Sequence, residues 1–286
     1  MSLDAPSASG KETQVTPEQA IRIVRDRFPF KGYMDTAEDA YINIAKTAQR
    51  CLKPGDSVLD FGAGPADKTA ILQALGFRCK AYDDLQDDWH SIEGNRDKIL
   101  NFARGFGIEY ELRRGADVPF GPDSFDMVMM HDVIEHLHNS PRSLLIRLLE
   151  SVRPGGYLFV TVPNAVNIRK RVRVLLGKTN LPSFNQYYWY PDPWRGHVRE
   201  YTRDDLSHLA EYLDLDVIEL RSCHHMLQKR LSGFLKPAYL GVTRIFPGWR
   251  DTWLLVAKKR PGWSPKKSLT REELGKTLKT VNAYQY

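Results

Sequence analysis

The chain has 286 residues, of which 42% are hydrophobic, and this is enough for one large domain with a complete core. It contains no apolar run of the roughly 18 residues that a membrane-spanning helix needs. The polar segment 1–14 lacks the apolar stretch of a secretory signal, and the three cysteines are too widely separated for a CxxC zinc site or a disulfide framework. These features predict a cytoplasmic protein.

The net charge of +6 is unevenly distributed along the chain. Residues 1–220 carry 27 basic and 32 acidic side chains, whereas residues 221–286 carry 14 basic and 3 acidic ones. Such a basic end is typical either of a nucleic-acid or membrane contact or of a solvated tail. We divide the chain into a disordered N-terminus (1–14), one catalytic domain (15–260) and a basic C-terminal tail (261–286).

Two helices are predicted before the first strand. Thr16 can cap a helix that begins at Pro17 and ends near Arg27, because proline is favoured at the first helical position. A second helical pattern covers Ala37–Cys51. Together the two helices are expected to form an N-terminal lid.

From Ser57 onward, strand and helix patterns alternate, which indicates βαβ units and a mainly parallel sheet. Strands are predicted at 57–60, 78–83, 108–113, 125–131, 157–162, 215–220 and 252–257. Intervening helices place the sheet between two helical layers. The long segment 164–200 after the fifth strand is aromatic and basic, and we interpret it as a cap over a substrate site.

The strongest local signal is the turn Gly62–Gly64 between the first strand and the next helix. Small residues there let the backbone approach a ligand closely, although a tight turn without a ligand would give the same pattern. Asp83 ends the second strand about twenty residues later, where an acid can accept hydrogen bonds from ribose hydroxyls. Asp84 is the alternative acid for this role.

Four segments occur in order along the chain: Asp60–Gly64, Val118–Val128, Asp132–Leu137 and Val152–Leu158. They resemble the motifs of class I S-adenosylmethionine-dependent methyltransferases, in particular the ubiquinone-biosynthesis-like, small-molecule subgroup. Asp60–Gly64 resembles the glycine-rich motif I of that family. Val118–Val128 resembles its "LPF…dnsFDvV" segment, and Asp132–Leu137 resembles its "vlEHl" segment. Val152–Leu158 resembles the "lkPGG.l" turn before strand five.

The resemblance implies a Rossmann-like class I methyltransferase fold and S-adenosyl-L-methionine as the cofactor. The residues expected to bind it are Asp60, Gly62, Ala63, Gly64, Asp83, Asp84, Asp117 and His131. The chain departs from the family at two places. Ala66 replaces the third glycine, and Arg114 occupies the usual position of an acid near adenine, which leaves Asp117 as the nearer carboxylate.

A hydroxyl acceptor would need a general base, and histidine is suited to this near neutral pH. His197 lies in a segment that resembles the family's "HvR.(Y/F)t", and His131 ends strand four at the ligand-binding edge. These are the two predicted catalytic residues. No metal is expected, because the histidines near residue 135 lack His-x-x-x-His spacing. The alternative is a divalent ion that assists a diol acceptor.

Aromatic and basic side chains near the end of the cap are predicted to contact the acceptor. They are Tyr187, Tyr188, Trp189, Arg195, Arg199 and Tyr201. Aromatic faces suit a sugar, a planar ring or a lipid interface, and the basic stretch 169–173 suits phosphates or anionic lipid. A buried aromatic plug and an ordinary basic surface helix are the structural alternatives.

The sequence therefore predicts methyl transfer to a hydroxyl of a glycan, glycolipid or other secondary metabolite. The partner would be a small molecule, with glycan or lipid attachment and a peripheral membrane contact left open. N-methylation of an amino sugar or other amine is the second interpretation. The third interpretation is a nucleic-acid methyltransferase that uses the basic C-terminal third of the chain. The sequence argues against it, because no Asn/Asp-Pro-Pro-Tyr/Phe motif follows strand four. The fourth is a cofactor-binding subunit without catalytic activity.

Overall fold

The computed structural model describes residues 15–113, 118–225 and 235–282, and seven strands within them form one sheet. The strands are β1 (Ser57–Phe61), β2 (Arg78–Asp83), β3 (Glu109–Leu112), β4 (Phe125–His131), β5 (Val152–Pro163), β6 (Leu215–Cys223) and β7 (Thr252–Lys259). Their order is β3-β2-β1-β4-β5-β7-β6. The pairs among β1 to β5 are parallel, and β7 runs antiparallel between β5 and β6. The predicted mainly parallel, seven-stranded sheet is confirmed.

Helices cover both faces of this sheet. They are α1 (Pro17–Arg27), α2 (Glu38–Cys51), α3 (Asp67–Ala74), α4 (Asn95–Gly105), α5 (Arg142–Glu150), α6 (Ile168–Leu175), α7 (Phe184–Trp189), α8 (Arg203–Tyr212), α9 (Leu235–Ile245) and α10 (Arg271–Asn282). Successive strand residues point to opposite faces. Val58 accordingly packs in the cluster that includes α1 to α4, and Leu59 packs in the cluster that includes α5 and α8.

The two N-terminal helices pack onto α3 as part of one helical layer. Thr16 caps α1 through a reciprocal capping box, in which its hydroxyl accepts from the Gln19 amide and the Gln19 side chain accepts from the Thr16 amide. The connection between α1 and α2, which includes Gly32 and Tyr33, reaches the cavity described below. Tyr33 and its neighbours thus provide the cavity with a wall from the N-terminal segment.

The C-terminal segment contains a helix and contacts the rest of the domain. The segment from residue 261, expected to be a basic tail, contains α10, and its first part is fixed to the domain because the Trp263 indole donates to the Leu213 carbonyl at 2.6 Å. The predicted disordered segment 1–14 lies outside the described residues. Among the helices that the structure describes, none combines the length and apolar character needed to cross a bilayer.

Candidate active site

A cavity of about 760 Å³ opens at the carboxyl ends of β1, β2 and β4. Ligands of open α/β sheets bind at this edge, and small-molecule pockets occupy about 300–1,000 Å³. Six of the eight predicted cofactor-binding residues line the cavity: Gly62, Ala63, Gly64, Asp83, Asp84 and His131. Of the other two, Asp117 lies outside the described residues, and Asp60 lies beneath the glycine turn.

The glycine turn depends on backbone angles that favour glycine. Gly62 and Gly64 have φ angles of +79° and +52°, and the amides of Gly62 and Ala63 both donate to the Tyr82 carbonyl of β2. A Cβ atom on Gly62 would lie 2.4 Å from Cγ2 of Val133. Gly62 therefore permits close packing of the turn against the segment after β4. This packing is a structural reason for glycine at this position, in addition to the approach of a ligand.

Two aspartates lie next to this turn, and one of them contacts it. Asp60 is 1% exposed and accepts a hydrogen bond from the Thr69 hydroxyl at 2.6 Å, and burial raises the pKa of Asp60 to about 7. Asp83 accepts from the Gly64 amide at 2.9 Å through one oxygen and from the Leu85 amide at 2.6 Å through the other. Burial raises the pKa of Asp83 above its ordinary value. A carboxylate has about four acceptor positions, and contacts with the described residues occupy two of those on Asp83.

His131 is 3% exposed at the end of β4, and its ring packs edge-on against Phe159. Nδ1 lies 3.0 Å from the Thr161 hydroxyl, and among the described residues Nε2 has no hydrogen-bond partner. Burial, together with the positive charge of Lys68, lowers the pKa of His131 to about 3. A histidine with so low a pKa is a weak base at neutral pH, so this geometry favours a binding role.

Three titratable groups that were not predicted as site residues line the same cavity. Nε2 of His225 lies 3.5 Å from the carboxylate of Asp132, the residue that follows β4. Burial opposes ionisation of Asp132, but His225 and Lys68 hold its pKa below the ordinary value. Burial likewise opposes the charge on Lys68, and the carboxylates of Asp67 and Asp132 raise its pKa above the ordinary value. The position of Asp132 after a strand was a usable signal, whereas His225 belongs to no recognisable motif.

A second cavity of about 710 Å³ lies beneath the cap and contains His197. Nδ1 of His197 is 2.9 Å from the Glu200 carboxylate, and its ring meets that of His136 edge-on at 4.9 Å between centroids. His136 and Trp194 line both cavities. Burial and the charge of Asp132 raise the pKa of Glu135 well above its ordinary value. Glu135, His136 and His197 together form a group that could hold a metal ion.

The predicted acceptor-binding residues do not form one site. Tyr187, Tyr188 and Trp189 are 59%, 62% and 77% exposed and line neither cavity. Arg195 lines the first cavity, where its guanidinium pairs with the carboxylates of Asp84 and Asp87.

Arg199 and Tyr201 also lie away from both cavities. Arg199 pairs with Asp205 of α8 at 3.0 Å. Tyr201 is 6% exposed and packs in the core, with its hydroxyl donating to the Ile134 carbonyl at 3.4 Å. The arrangement gives both residues structural contacts.

A family model described as a methyltransferase domain matches residues 36–220, which is more than half of the chain. The chain belongs to this methyltransferase family. The match begins just before α2 and ends in β6, so it contains the glycine turn, Asp83 and the segment after β4. The predicted class I, S-adenosylmethionine-dependent type is confirmed at the level of family and fold.

The similar curated proteins differ in the type of methylation that their names give. A demethylmenaquinone methyltransferase of Corynebacterium glutamicum is 32% identical over 116 residues, which are 40% of this chain and 45% of that protein. A ubiquinone/menaquinone biosynthesis C-methyltransferase of Vibrio vulnificus is 24% identical over 67% of this chain and 68% of its own. A ubiquinone biosynthesis O-methyltransferase of Cupriavidus pinatubonensis is 24% identical over 58% and 63%, respectively. The chain thus spans less than half of the first of these relatives.

Solved structures show the same fold at low sequence identity. A S-adenosylmethionine-dependent methyltransferase of Methanosarcina mazei has a TM-score of 0.50 and 16% identity, and the match covers 75% of this chain and 97% of that one. The [4+2]-cyclase SpnF has a TM-score of 0.52 and 13% identity over 86% and 97% of the two chains. Because a cyclase shares the fold, the fold alone does not define the reaction.

Proposed function

We propose that the protein transfers a methyl group from S-adenosylmethionine to a hydroxyl of a small, lipid-linked molecule. The observation that carries this proposal is the cavity that joins the glycine turn and Asp83 to the His225–Asp132 pair. A methyltransferase must hold donor and acceptor together in line, and its main contribution is their orientation. One continuous cavity with a binding end and a charged end suits that requirement.

The binding end fits S-adenosylmethionine. The cofactor supplies, when bound, an electrophilic methyl group on a sulfonium sulfur. Gly62 and Gly64 expose backbone to the cavity, Asp83 offers its carboxylate to the ribose, and His131 presents a buried ring nitrogen without a partner among the described residues. Asp60 would act from beneath, since it is buried against Thr69.

The charged end supplies a proton acceptor. His225 lies beside Asp132, whose negative charge stabilises the imidazolium that forms when His225 takes the proton of the acceptor hydroxyl. Lys68 faces the same carboxylate and offers a positive charge to a developing oxyanion. His225 replaces His197 as the base in this proposal, because His197 lines the second cavity beneath the cap.

The surface of the cap supports an acceptor that is held at a membrane. Between residues 164 and 191 the chain has five basic residues and no acidic one. Nine large apolar side chains of this segment are exposed: Val172, Val174, Leu175, Leu176, Leu181, Phe184, Tyr187, Tyr188 and Trp189. Basic groups beside exposed aromatic and aliphatic side chains suit the surface of an anionic bilayer. The names of the relatives, which refer to quinone biosynthesis, agree with a lipid-soluble acceptor.

The base can be tested with two adjacent histidines. His225→Gln removes the proposed proton acceptor, so turnover should fall by about 10²–10⁴-fold while the affinity for S-adenosylmethionine stays the same. His224→Gln is the matched control, because His224 is next in sequence but lies against the Tyr239 hydroxyl at 3.2 Å. Acceptors would be screened by the release of S-adenosylhomocysteine.

Two outcomes would count against the proposal. If His225→Gln and His224→Gln turn over the same confirmed hydroxyl acceptor equally fast, His225 is not the base, and the earlier prediction of His197 regains priority. If the accepted substrate proves to be an amine, the proposed hydroxyl chemistry is wrong and N-methylation replaces it.

A further inference from the structure

One carboxylate and two imidazoles meet at the wall between the two cavities. Glu135 and His136 belong to a short 3₁₀ turn after β4, and His197 belongs to the last part of the cap. One carboxylate oxygen and one nitrogen of each ring lie within 4.8 Å of one another. Nε2 of His136 is 4.0 Å from the nearer oxygen of Glu135.

Glu135 supplies the carboxylate of this group. The residue is fully buried, and neither oxygen accepts a hydrogen bond from the part of the chain that the structure describes. Buried charges in proteins are nearly always paired with an opposite charge or bound to a metal. Two buried carboxylate oxygens without a donor are therefore suited to bind a cation at this position.

Nδ1 of each imidazole contacts an oxygen acceptor. Nδ1 of His136 donates to the Arg195 carbonyl at 2.7 Å, and since a carbonyl can only accept, the lone pair of the neutral ring is on Nε2. Nδ1 of His197 makes the equivalent contact with the Glu200 carboxylate at 2.9 Å. Metal-binding histidines characteristically direct their other nitrogen to a carbonyl or carboxylate in this way.

Backbone contacts fix the two segments that supply these groups. The amides of Val198 and Arg199 both donate to the Glu135 carbonyl, at 2.7 and 3.2 Å. The hydroxyl of Tyr201 donates to the carbonyl of Ile134 at 3.4 Å. The cap segment therefore keeps His197 beside the turn, although 61 positions separate His136 from it in the sequence.

We propose that Glu135, His136 and His197 bind a divalent first-row transition-metal ion, with zinc as the best match. Two imidazoles with one carboxylate suit zinc, whereas calcium and magnesium prefer oxygen ligands. Bonds of about 2.0–2.2 Å hold tetrahedral ligands about 3.4 Å apart, so the three groups need to contract slightly on binding. Positions remain for water or an oxygen of a ligand. This site replaces the sequence expectation of no metal, and it does not depend on the identity of the methyl donor.

Metal content provides the test. The full chain would be stripped with a chelator, dialysed against Zn²⁺ and analysed by mass spectrometry for metal. One zinc per chain is expected for the wild type, with at least 100-fold weaker binding by Glu135→Gln and by His197→Asn. His208→Asn is the control, because His208 lies on α8 and stacks on Tyr212 away from the cluster. Metal-free Glu135→Gln should melt no lower than the wild type, which separates lost binding from lost folding.

Cobalt distinguishes a built site from adventitious binding. Co²⁺ should give the visible d–d bands of four- or five-coordination in the wild type and in His208→Asn, and the spectrum of hexaaqua cobalt in Glu135→Gln. The proposal is overturned if the wild type holds no more zinc than Glu135→Gln, or if His208→Asn loses as much zinc as His197→Asn. Preference for Mg²⁺ over Zn²⁺ in the same dialysis would also contradict it.

Discussion

Asp60 occupies a buried structural position that its sequence motif did not reveal. The motif selected it as a cofactor ligand, but its carboxylate lies under the turn, 1% exposed, with the Thr69 hydroxyl as its donor. Burial raises the pKa of Asp60 to about 7, whereas an unfolded aspartate ionises near 3.8. The protonated form is therefore favoured in the folded protein.

This pKa difference predicts a pH dependence of stability. Between about pH 4 and pH 7 the folded state binds a proton that the unfolded state has lost, so the free energy of unfolding falls as the pH rises. Each pKa unit corresponds to about 1.4 kcal/mol, which makes the total a few kcal/mol at most. Asp60→Asn removes the ionisation and keeps an acceptor for Thr69.

Thermal unfolding of the cofactor-free protein at pH 5 and pH 8 measures this effect. The melting temperature of Asp60→Asn relative to the wild type should rise from pH 5 to pH 8. Thr69→Val, which removes the donor and leaves Asp60 in place, should not reproduce that pH-dependent gain. If the melting temperatures of Asp60→Asn and the wild type differ by the same amount at both pH values, Asp60 ionises normally.

At the scale of elements, patterns of consecutive residues predicted the structure better than side-chain roles. β2 and β4 begin and end at the bounds predicted from the succession of strand and helix patterns, Arg78–Asp83 and Phe125–His131. The glycine turn was found because it depends on a few adjacent small residues. His225 and the Glu135 cluster were missed, since each depends on segments far apart in sequence that the fold brings together.

The cap also shows what could not be predicted from the sequence. Its aromatic run predicted acceptor contacts, but composition does not state which way a side chain points. Tyr187 to Trp189 lie on a short helix whose residues face solvent, so the run forms a surface. This surface leads to a prediction at the scale of α6 and α7.

Anionic vesicles should bind this surface. Replacing Leu175 and Trp189 together with serine removes two strongly exposed apolar groups, and burial of one such side chain contributes about 1.5–3 kcal/mol, which is tenfold or more in affinity. Sedimentation with phosphatidylglycerol vesicles would measure the loss. The paired change Ile245→Ser and Leu274→Ser, at exposed apolar positions outside the cap, should leave binding unchanged. Equal sedimentation of both double variants, or binding that does not weaken in high salt, would contradict the membrane surface.

At the scale of the whole molecule, the sheet order places two cavities at one end of the domain. The first joins the glycine turn to the charged groups after β4, and the second lies between the cap and the turn that carries His136. The family motifs cover β1 to β5 and predicted the first cavity. The second depends on the cap, in which only the segment from His197 resembles a family pattern, so its geometry could not be predicted without the folded chain.

Calorimetric titration with S-adenosylmethionine tests the central claim most directly. The wild type should bind one molecule per chain, and Asp83→Ala should bind about tenfold to 100-fold more weakly, because hydrogen bonds to a charged group contribute about 1.5–3 kcal/mol. Asp88→Ala is the matched control, since this exposed aspartate lies outside the cavity lining and accepts from the Tyr190 hydroxyl. Thermal unfolding of the variants checks that the turn beside Gly64 remains folded. Failure of the wild type to bind S-adenosylmethionine, or equal affinity of Asp83→Ala and Asp88→Ala, would contradict the proposed cofactor site.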